Sequence, residues 1–317
     1  MLLNSAAYSE PVNKIEIRST YFSWVFLTGS YAYKIKKPVK FGEILDYSTI
    51  KLRKNFCEMD VDLNSRFSPE MYIDTFGVDK SGKINGEGEI IEYGVRMKQL
   101  PEEYLLCNLL NKKKVIKTNI ENIARELASF HARTDKVPEY GDLKYIGEKW
   151  DENFRTTSKF RQIDGEFRDK VSCYLRGNRG LFKERINEGR ITDNHGDFQS
   201  RNIFILPNKG AIFFNCIEFN SLLRYGDVAE DVGFLAMDLD FWGKKELSKL
   251  FIESYIEFSK DDLLEEHIDF FKCYRAYVCG KVYGFQAAKE LNEEKKEKFL
   301  NISEKYYILA HNYSEEI

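Results

Sequence analysis

The stretch that most constrains this chain runs Asp193-Asn194-His195-Gly196-Asp197-Phe198-Gln199-Ser200-Arg201-Asn202. His195, Asp197 and Asn202 stand at the spacing H-x-D-x-x-x-x-N, and phosphoryl transfer gives that spacing a mechanical reason. An Asp must reach the hydroxyl that attacks the γ-phosphoryl group, and an Asn one short turn later must offer its amide oxygen to a magnesium ion on the phosphates. Two apolar runs follow, 203–206 and 211–214, around Pro207-Asn208-Lys209-Gly210, which is a hairpin pattern. The hairpin ends at Asn215-Cys216-Ile217-Glu218-Phe219-Asn220, where such a site keeps its second metal-binding acid. An H-G-D tripeptide alone is equally a polar turn with a structural histidine. The tripeptide, the Asn five residues on, the hairpin and the acid-bearing segment together read as a catalytic loop.

With 317 residues the chain is long enough for two lobes and a sizeable core. Its net charge of −3 gives no overall basic field for nucleic acid. Cys57, Cys107, Cys173, Cys216, Cys273 and Cys279 form no C-x-x-C pair, which argues against zinc and against a disulfide framework, and fits a reducing cytosol. Neither an eighteen-residue apolar run nor a basic-then-apolar start occurs, so the expectation is a cytoplasmic protein away from membranes.

Residues 1–13 read as a lead-in, and 14–18, 24–27 and 31–36 as three antiparallel strands. The connection Ser19 to Ser23 has no glycine, so its hydroxyls and N–H groups, Ser23 included, would cover phosphates if this is a nucleotide lobe; otherwise it is an ordinary hairpin tip. Lys34 and Lys36 share one face of the third strand. One strand lysine is needed to hold α- and β-phosphates, with Lys34 first and Lys36 second; the alternative is a solvated basic edge. Residues 48–67 read as a helix capped by Ser48 or Thr49, with Leu52, Phe56, Met59, Leu63 and Phe67 as its apolar stripe. Glu58 or Asp60 on that helix would pair with the lysine. Strands over 72–78 and 89–99 complete the sheet, and Pro101 marks a hinge where adenine would meet backbone groups near Met97 to Gln99. The boundary falls there, giving a nucleotide-binding lobe over 1–100 and a catalytic and substrate lobe over 101–317.

The second lobe reads as mainly helical, with helices over 120–133 (Asn119 as N-cap), 149–160, 167–190, 232–239, 244–258, 261–292 and 293–314. His131 is expected to be a packed histidine. Asp227 and Asp231 are candidates for bracing a loop. Arg275 and Lys281 either face a pocket or lie on a solvated helix face. The fold class is therefore α+β and two-lobed, with an antiparallel sheet plus helix followed by a mainly helical lobe.

Several stretches together resemble the aminoglycoside phosphotransferase branch of the protein-kinase-like fold. They are 23–29 (SWVFLTG), 33–39 (YKIKKPV), His195-Gly196-Asp197, Cys216-Ile217-Glu218-Phe219-Asn220, Met237-Asp238-Leu239-Asp240 and Tyr274-Arg275-Ala276-Tyr277-Val278. The likeness extends to a bacterial and archaeal subgroup sometimes fused to a C-terminal P-loop ATPase domain; no G-x-x-x-x-G-K-[ST] sequence occurs in these residues, so that half is expected to be absent. The resemblance implies ATP with Mg2+ in a cleft and phosphoryl transfer to a small-molecule hydroxyl. It makes Lys34 the phosphate lysine, Asp197 the catalytic base with His195 in the same motif, and Asn202 a magnesium ligand. Asp60 stands where the family has a Glu partner for the lysine, one methylene longer, so Glu58 is the alternative.

Asn215 departs from the pattern, because the family carries Asp there as main magnesium ligand. Hard cations favour carboxylates over amides. Three explanations stand: an inactivating change, natural or engineered; a charge supplied instead by Glu218; or nucleotide binding without turnover. The rival readings are accordingly a pseudokinase-like binding module and a Ser/Thr protein kinase.

Overall fold

A computed structural model describes residues 1–42, 45–207 and 209–317. The chain divides into two units, 1–108 with 201–221, and 109–200 with 222–317. A single crossing near residue 100 does not account for this, because the chain comes back to the first unit for 201–221. The reason is apolar: Phe204 packs into a core with Ala32, Cys57, Met71, Tyr72, Val95 and Met97.

The first unit contains β1 (Glu16–Ser19), β2 (Ser23–Leu27), β3 (Tyr31–Lys36), the short ladder of β4 (Lys40–Phe41) and β5 (Leu45–Asp46), α1 (Ile50–Ser65), β6 (Tyr72–Asp79) and β7 (Ile90–Lys98). Among the described residues five strands form an antiparallel sheet in the order β1-β2-β3-β7-β6. The period-2 alternation of β3 decides what each face holds. Tyr33 and Ile35 pack with Leu2, Ala7, Tyr8, Phe76 and Val78 on one side. Ala32, Lys34 and Lys36 point to the side of α1. Residues 1–13 are thus more than a lead-in, since Leu2, Ala7 and Tyr8 build the core beneath the sheet and the Tyr8 hydroxyl donates to the Leu2 carbonyl at 2.7 Å.

The second unit begins within α2 (Leu106–Asn111) and continues through α3 (Lys117–Arg133), α4 (Leu143–Thr157), α5 (Gly165–Gly177), α6 (Arg179–Asn187) and β8 (Ile191–Asp193). The hairpin β9 (Ile203–Leu206) and β10 (Gly210–Phe213) belongs to the first unit; Asn208 of its expected turn lies outside the described residues. After it come β11 (Tyr225–Asp227), α7 (Ala229–Phe241), α8 (Lys245–Ser259), α9 (Ile268–Lys289) and α10 (Glu293–Ser314). α7 is buried from Ala229 through Leu239, as an apolar helix surrounded by other helices must be. A Cβ added at Gly233 would meet the Phe271 backbone carbon at 3.0 Å, so glycine permits the close approach of α7 and α9.

Four helix expectations change in detail. The helix expected over 149–160 starts earlier, at Leu143, capped by Asp142, and ends at Thr157. The segment 167–190 is two helices, because the backbone leaves the helical region at Asn178 (φ −102°, ψ 23°). Asn119 is not the N-cap of α3 but lies in its first turn, and its side chain accepts the Ile116 N–H at 3.1 Å. The helix expected from 261 starts at Ile268, after a short 3-10 turn over Asp262–Leu264.

Candidate functional site

In the first unit the side chains that carry charge meet on the inner face of α1. That face is Arg53, Cys57, Asp60 and Asn64, all buried. It is not the expected apolar stripe: Met59 is exposed, and Leu52, Phe56, Leu63 and Phe67 are only half-buried. The polar face can be inside because each group finds a partner. Arg53 holds Glu92 and the Tyr47 carbonyl, each at 2.8 Å. Asn64 donates to Asp60 Oδ1 at 3.0 Å and accepts the Cys216 N–H at 2.9 Å.

Asp60 is the centre of this cluster. Its Oδ2 lies 2.8 Å from Lys34 Nζ and 2.8 Å from Lys36 Nζ. Lys36 also reaches Glu218 Oε1 at 2.5 Å, and the Tyr47 hydroxyl donates to the same oxygen. Burial pushes the Asp60 carboxyl up, but the two ammonium groups more than reverse this and hold it below the usual carboxylate range. Burial opposes the charge on Lys36 likewise, and Asp60 and Glu218 overcome it, leaving Lys36 well above its ordinary value. The two lysines are not equivalent. Lys36 is fully enclosed, whereas Lys34 keeps 11% of its side chain exposed and bonds Asn215 Oδ1 at 3.2 Å. Neither is a solvated edge residue. Glu58 points away, with half its side chain exposed and Lys54 at 3.8 Å; the shorter Asp60 reaches the lysines because it faces the sheet.

Asn215 stands just past β10 with φ +63°, a left-handed conformation that Asn tolerates better than most residues. The Tyr72 hydroxyl accepts its N–H at 3.0 Å. Its side-chain Nδ2 donates to Asn202 Oδ1 at 3.3 Å. Asn202, in the turn before β9, is buried, and its carbonyl accepts the Phe214 N–H at 3.1 Å. The side-chain oxygens of Asn202 and Asn215 are thus directed at an amide and an ammonium group. Glu218, the expected substitute acid, is buried against Lys36 and Tyr47. Among the described residues no group of three or more His, Cys, Asp or Glu side chains could hold a metal ion. Two neutral amides already bonded to each other do not fit magnesium, which favours carboxylates.

The other predicted nucleotide contacts in this unit are also occupied by protein. Ser23 is buried at the start of β2, its N–H donating to Thr20 Oγ1 at 3.0 Å. Lys37 closes the same connection by donating to Ser19 Oγ at 2.9 Å. Met97 is buried in β7. The N–H groups of Lys98 and Gln99 go to the Met71 and Ser30 carbonyls at 2.8 and 3.0 Å, and Gln99 Oε1 accepts the Gly29 N–H at 2.8 Å.

In the second unit the H-G-D loop lies over α7. Asp231 accepts the His195 N–H at 2.7 Å and the Gly196 N–H at 2.9 Å, and Asp238, two turns on, accepts the Ser200 N–H at 2.8 Å. Gly196 has φ +83°, so a side chain there would strain the turn. Arg275 Nη1 donates to the Gly196 carbonyl at 3.1 Å and is held by Glu230 at 3.2 Å. His131 is a packed histidine between the Tyr255 hydroxyl at 2.7 Å and Asp231 at 3.4 Å. Burial pushes the Asp231 carboxyl up; the His131 contact and the charge around it turn the balance, and it sits below the usual range. His195 is buried and its Nδ1 accepts the Asp197 N–H at 3.3 Å, whereas Asp197 itself is half-buried with Gln199 donating to its carboxylate. Asp227 braces elsewhere, taking Arg185 with both oxygens. Lys281 bonds Glu152 at 2.8 Å, so it is a paired residue and not a solvated one.

Asp238, Tyr47, Tyr72 and Asn64 are members that sequence reasoning missed. Asp238 had a signal, since Asp231 and Asp238 stand seven residues apart, on one face of an otherwise apolar helix. The two tyrosines and Asn64 had none, because each acts only through a distant partner.

No family model matches the chain. It is 31% identical over 278 residues to uncharacterized proteins of Mycobacterium bovis and Mycobacterium tuberculosis, an alignment that covers 84% of this chain and 54% of theirs. The chain spans about half the length of the curated relatives it matches. Among solved structures it is similar to a choline/ethanolamine kinase family protein from Mesorhizobium loti (TM-score 0.56, 9% identity, 98% of this chain and 95% of that one). A Plasmodium vivax ethanolamine kinase superposes with TM-score 0.56 at 12% identity, over 94% and 82% of the two chains. An aminoglycoside phosphotransferase solved with GDP and kanamycin gives 0.53 at 10%, over 95% of each. No helix among the described residues is long and apolar enough to cross a membrane. At these identities the likeness is one of architecture, and by its antiparallel sheet, its helical second unit and these neighbours the chain belongs to the protein-kinase-like fold that choline/ethanolamine kinases and aminoglycoside phosphotransferases share.

Proposed function

We propose that the protein is a phosphotransferase that moves the γ-phosphoryl group of ATP to a hydroxyl of a small molecule. The observation that carries this is the H-G-D loop. Asp231 fixes two successive N–H groups, Arg275 holds the carbonyl between His195 and Asp197, and the Asp197 carboxylate alone of this tripeptide remains half-exposed. A loop braced on both sides of an accessible carboxylate is what general-base positioning requires. Asp197 orients the acceptor hydroxyl and takes its proton as the acceptor oxygen bonds the γ-phosphorus. The bond from that phosphorus to the bridging oxygen breaks, leaving ADP. Lys34 holds the phosphates, with Asp60 fixing its direction, and Lys36 pairs with Asp60 and Glu218 inside the unit. His195 positions Asp197 through its ring nitrogen.

Incubating the protein with ATP and pooled metabolites and following the mass gain of one phosphoryl group tests the reading. Asp197→Ala is expected to abolish the gain while the melting transition stays in place. Undiminished transfer in that variant removes Asp197 from the mechanism. A second reading, a nucleotide-binding module without turnover, is favoured by Asn215. Its mark is a thermal shift with ATP and no ADP release with any metabolite pool.

A further inference from the structure

We infer that this chain binds its nucleotide without a divalent cation joining the phosphates to the protein. The inference rests on the nucleotide reading of the lysine cluster and specifies the form of nucleotide that the cluster takes. Two side-chain oxygens facing each other need a cation between them; an oxygen facing an NH2 group does not. At 215 this chain has the second arrangement. Asn215 Nδ2 donates to Asn202 Oδ1 at 3.3 Å, and Asn215 Oδ1 accepts from Lys34 at 3.2 Å. The amide therefore makes directly the connection that a metal would make between a carboxylate at this position and Asn202. To coordinate both oxygens, a cation would have to part the two amides and displace the ammonium group.

Charge points the same way. Lys36 is enclosed by Asp60 and Glu218, and Lys34 shares Asp60 Oδ2 with it. Two lysines and two carboxylates sum to zero, and Asn215 adds nothing. A carboxylate at 215 would leave the cluster at −1 and place a second acid on Lys34, so a triphosphate would meet net repulsion unless a cation came with it. With the amide, Lys34 answers to one shared carboxylate and retains attraction for phosphate oxygens. The amide is also held in place, because Tyr72 takes its backbone N–H at 3.0 Å and its left-handed backbone suits Asn.

The test is calorimetric titration of the full chain with ATP at neutral pH, in excess EDTA and in excess Mg2+, for the unmodified protein and for Asn215→Asp. For the unmodified chain the two dissociation constants are expected to agree within about threefold. In Asn215→Asp, binding in EDTA is expected to weaken by about tenfold or more and to return with Mg2+, because the added carboxylate faces the phosphates. If the unmodified chain binds in Mg2+ and is about tenfold or more weaker in EDTA, the inference is overturned while the nucleotide reading stands. Absence of binding in both conditions overturns both. Should Asn215→Asp fail to fold, the comparison on the unmodified chain still decides.

Discussion

Asp60 and Asp231 are both buried carboxylates on inward faces of helices, both held below the usual range, and they are kept charged by different means. Asp60 is met by two ammonium groups from β3. Asp231 is met by two backbone N–H groups of one loop and by a histidine. In the first arrangement charge answers charge, so removing one partner strands the others in a low-dielectric interior. In the second the carboxylate holds a shape, so removing it frees a loop and strands two N–H groups and a histidine nitrogen. One region holds a partly exposed lysine, Lys34, against a buried carboxylate; the other holds a half-buried carboxylate, Asp197, on a braced turn.

The largest expected effect tests the first half of that contrast. Lys36→Met keeps the length of the side chain and removes the charge that Asp60 and Glu218 share. Breaking a buried pair in this way costs about 3–5 kcal/mol, read from urea denaturation. The pH profile should change with it. Lys36 is raised in the folded state, so its contribution is whole below the unfolded lysine value of about 10.4 and is lost as pH rises through the folded value; the variant should lack that alkaline limb. Asp60 is lowered, so its contribution is whole above about pH 4 and is lost as pH falls through the folded value. A loss under about 1 kcal/mol in Lys36→Met would mean the cluster is not held by its charges.

Asp231→Asn probes the other half and should be milder for stability. An amide has one oxygen, so one of the two N–H acceptors disappears and the cost is about 1–3 kcal/mol. The diagnostic readout is local: hydrogen exchange at the His195 and Gly196 amides should accelerate, and ATP-dependent phosphoryl transfer should fall although Asp197 is untouched. Unchanged exchange at those two amides would show that Asp231 does not brace the loop.

How far the sequence reaches differs between these regions for the same physical reasons. The hairpin over 203–213, β3 with its two lysines on one face, and the Thr49 cap of α1 follow from local spacing and alternation, and the structure has them. The inner face of α1 was not legible, because an amphipathic reading looks for an apolar stripe, and this helix turns Arg53, Asp60 and Asn64 inward to partners on β7, β3 and the segment after β10. Those partners lie 24 to 152 positions away in the chain, beyond any periodicity. The return of 201–221 to the first unit was hidden likewise, since a hairpin pattern names its own two strands and not the core that Phe204 enters. Asp231 was readable as a brace because an acid opening an apolar helix is anomalous where it stands; its target was not.

The smallest expected effect is the sharpest control on α1. Glu58 and Asp60 are two residues apart and both were candidates for the lysine's partner, Glu58 as the alternative to Asp60, yet the helix turn carries them to opposite environments. Glu58 faces Lys54 at 3.8 Å, with about half of both side chains exposed. An exposed pair of this kind, one turn apart on a helix, contributes at most about 0.5 kcal/mol. Glu58→Ala should therefore leave both the urea midpoint and the ATP dissociation constant nearly unchanged. Asp60→Asn, changing only an oxygen for an amide nitrogen, should lower both stability and affinity, because Lys34 would lose its carboxylate partner and Lys36 would keep Glu218 alone. If Glu58→Ala weakened nucleotide binding as much as Asp60→Asn, α1 would have to be turned by about 160° from the orientation described, and the contrast between its charged inner face and the N–H brace on α7 would fail with it.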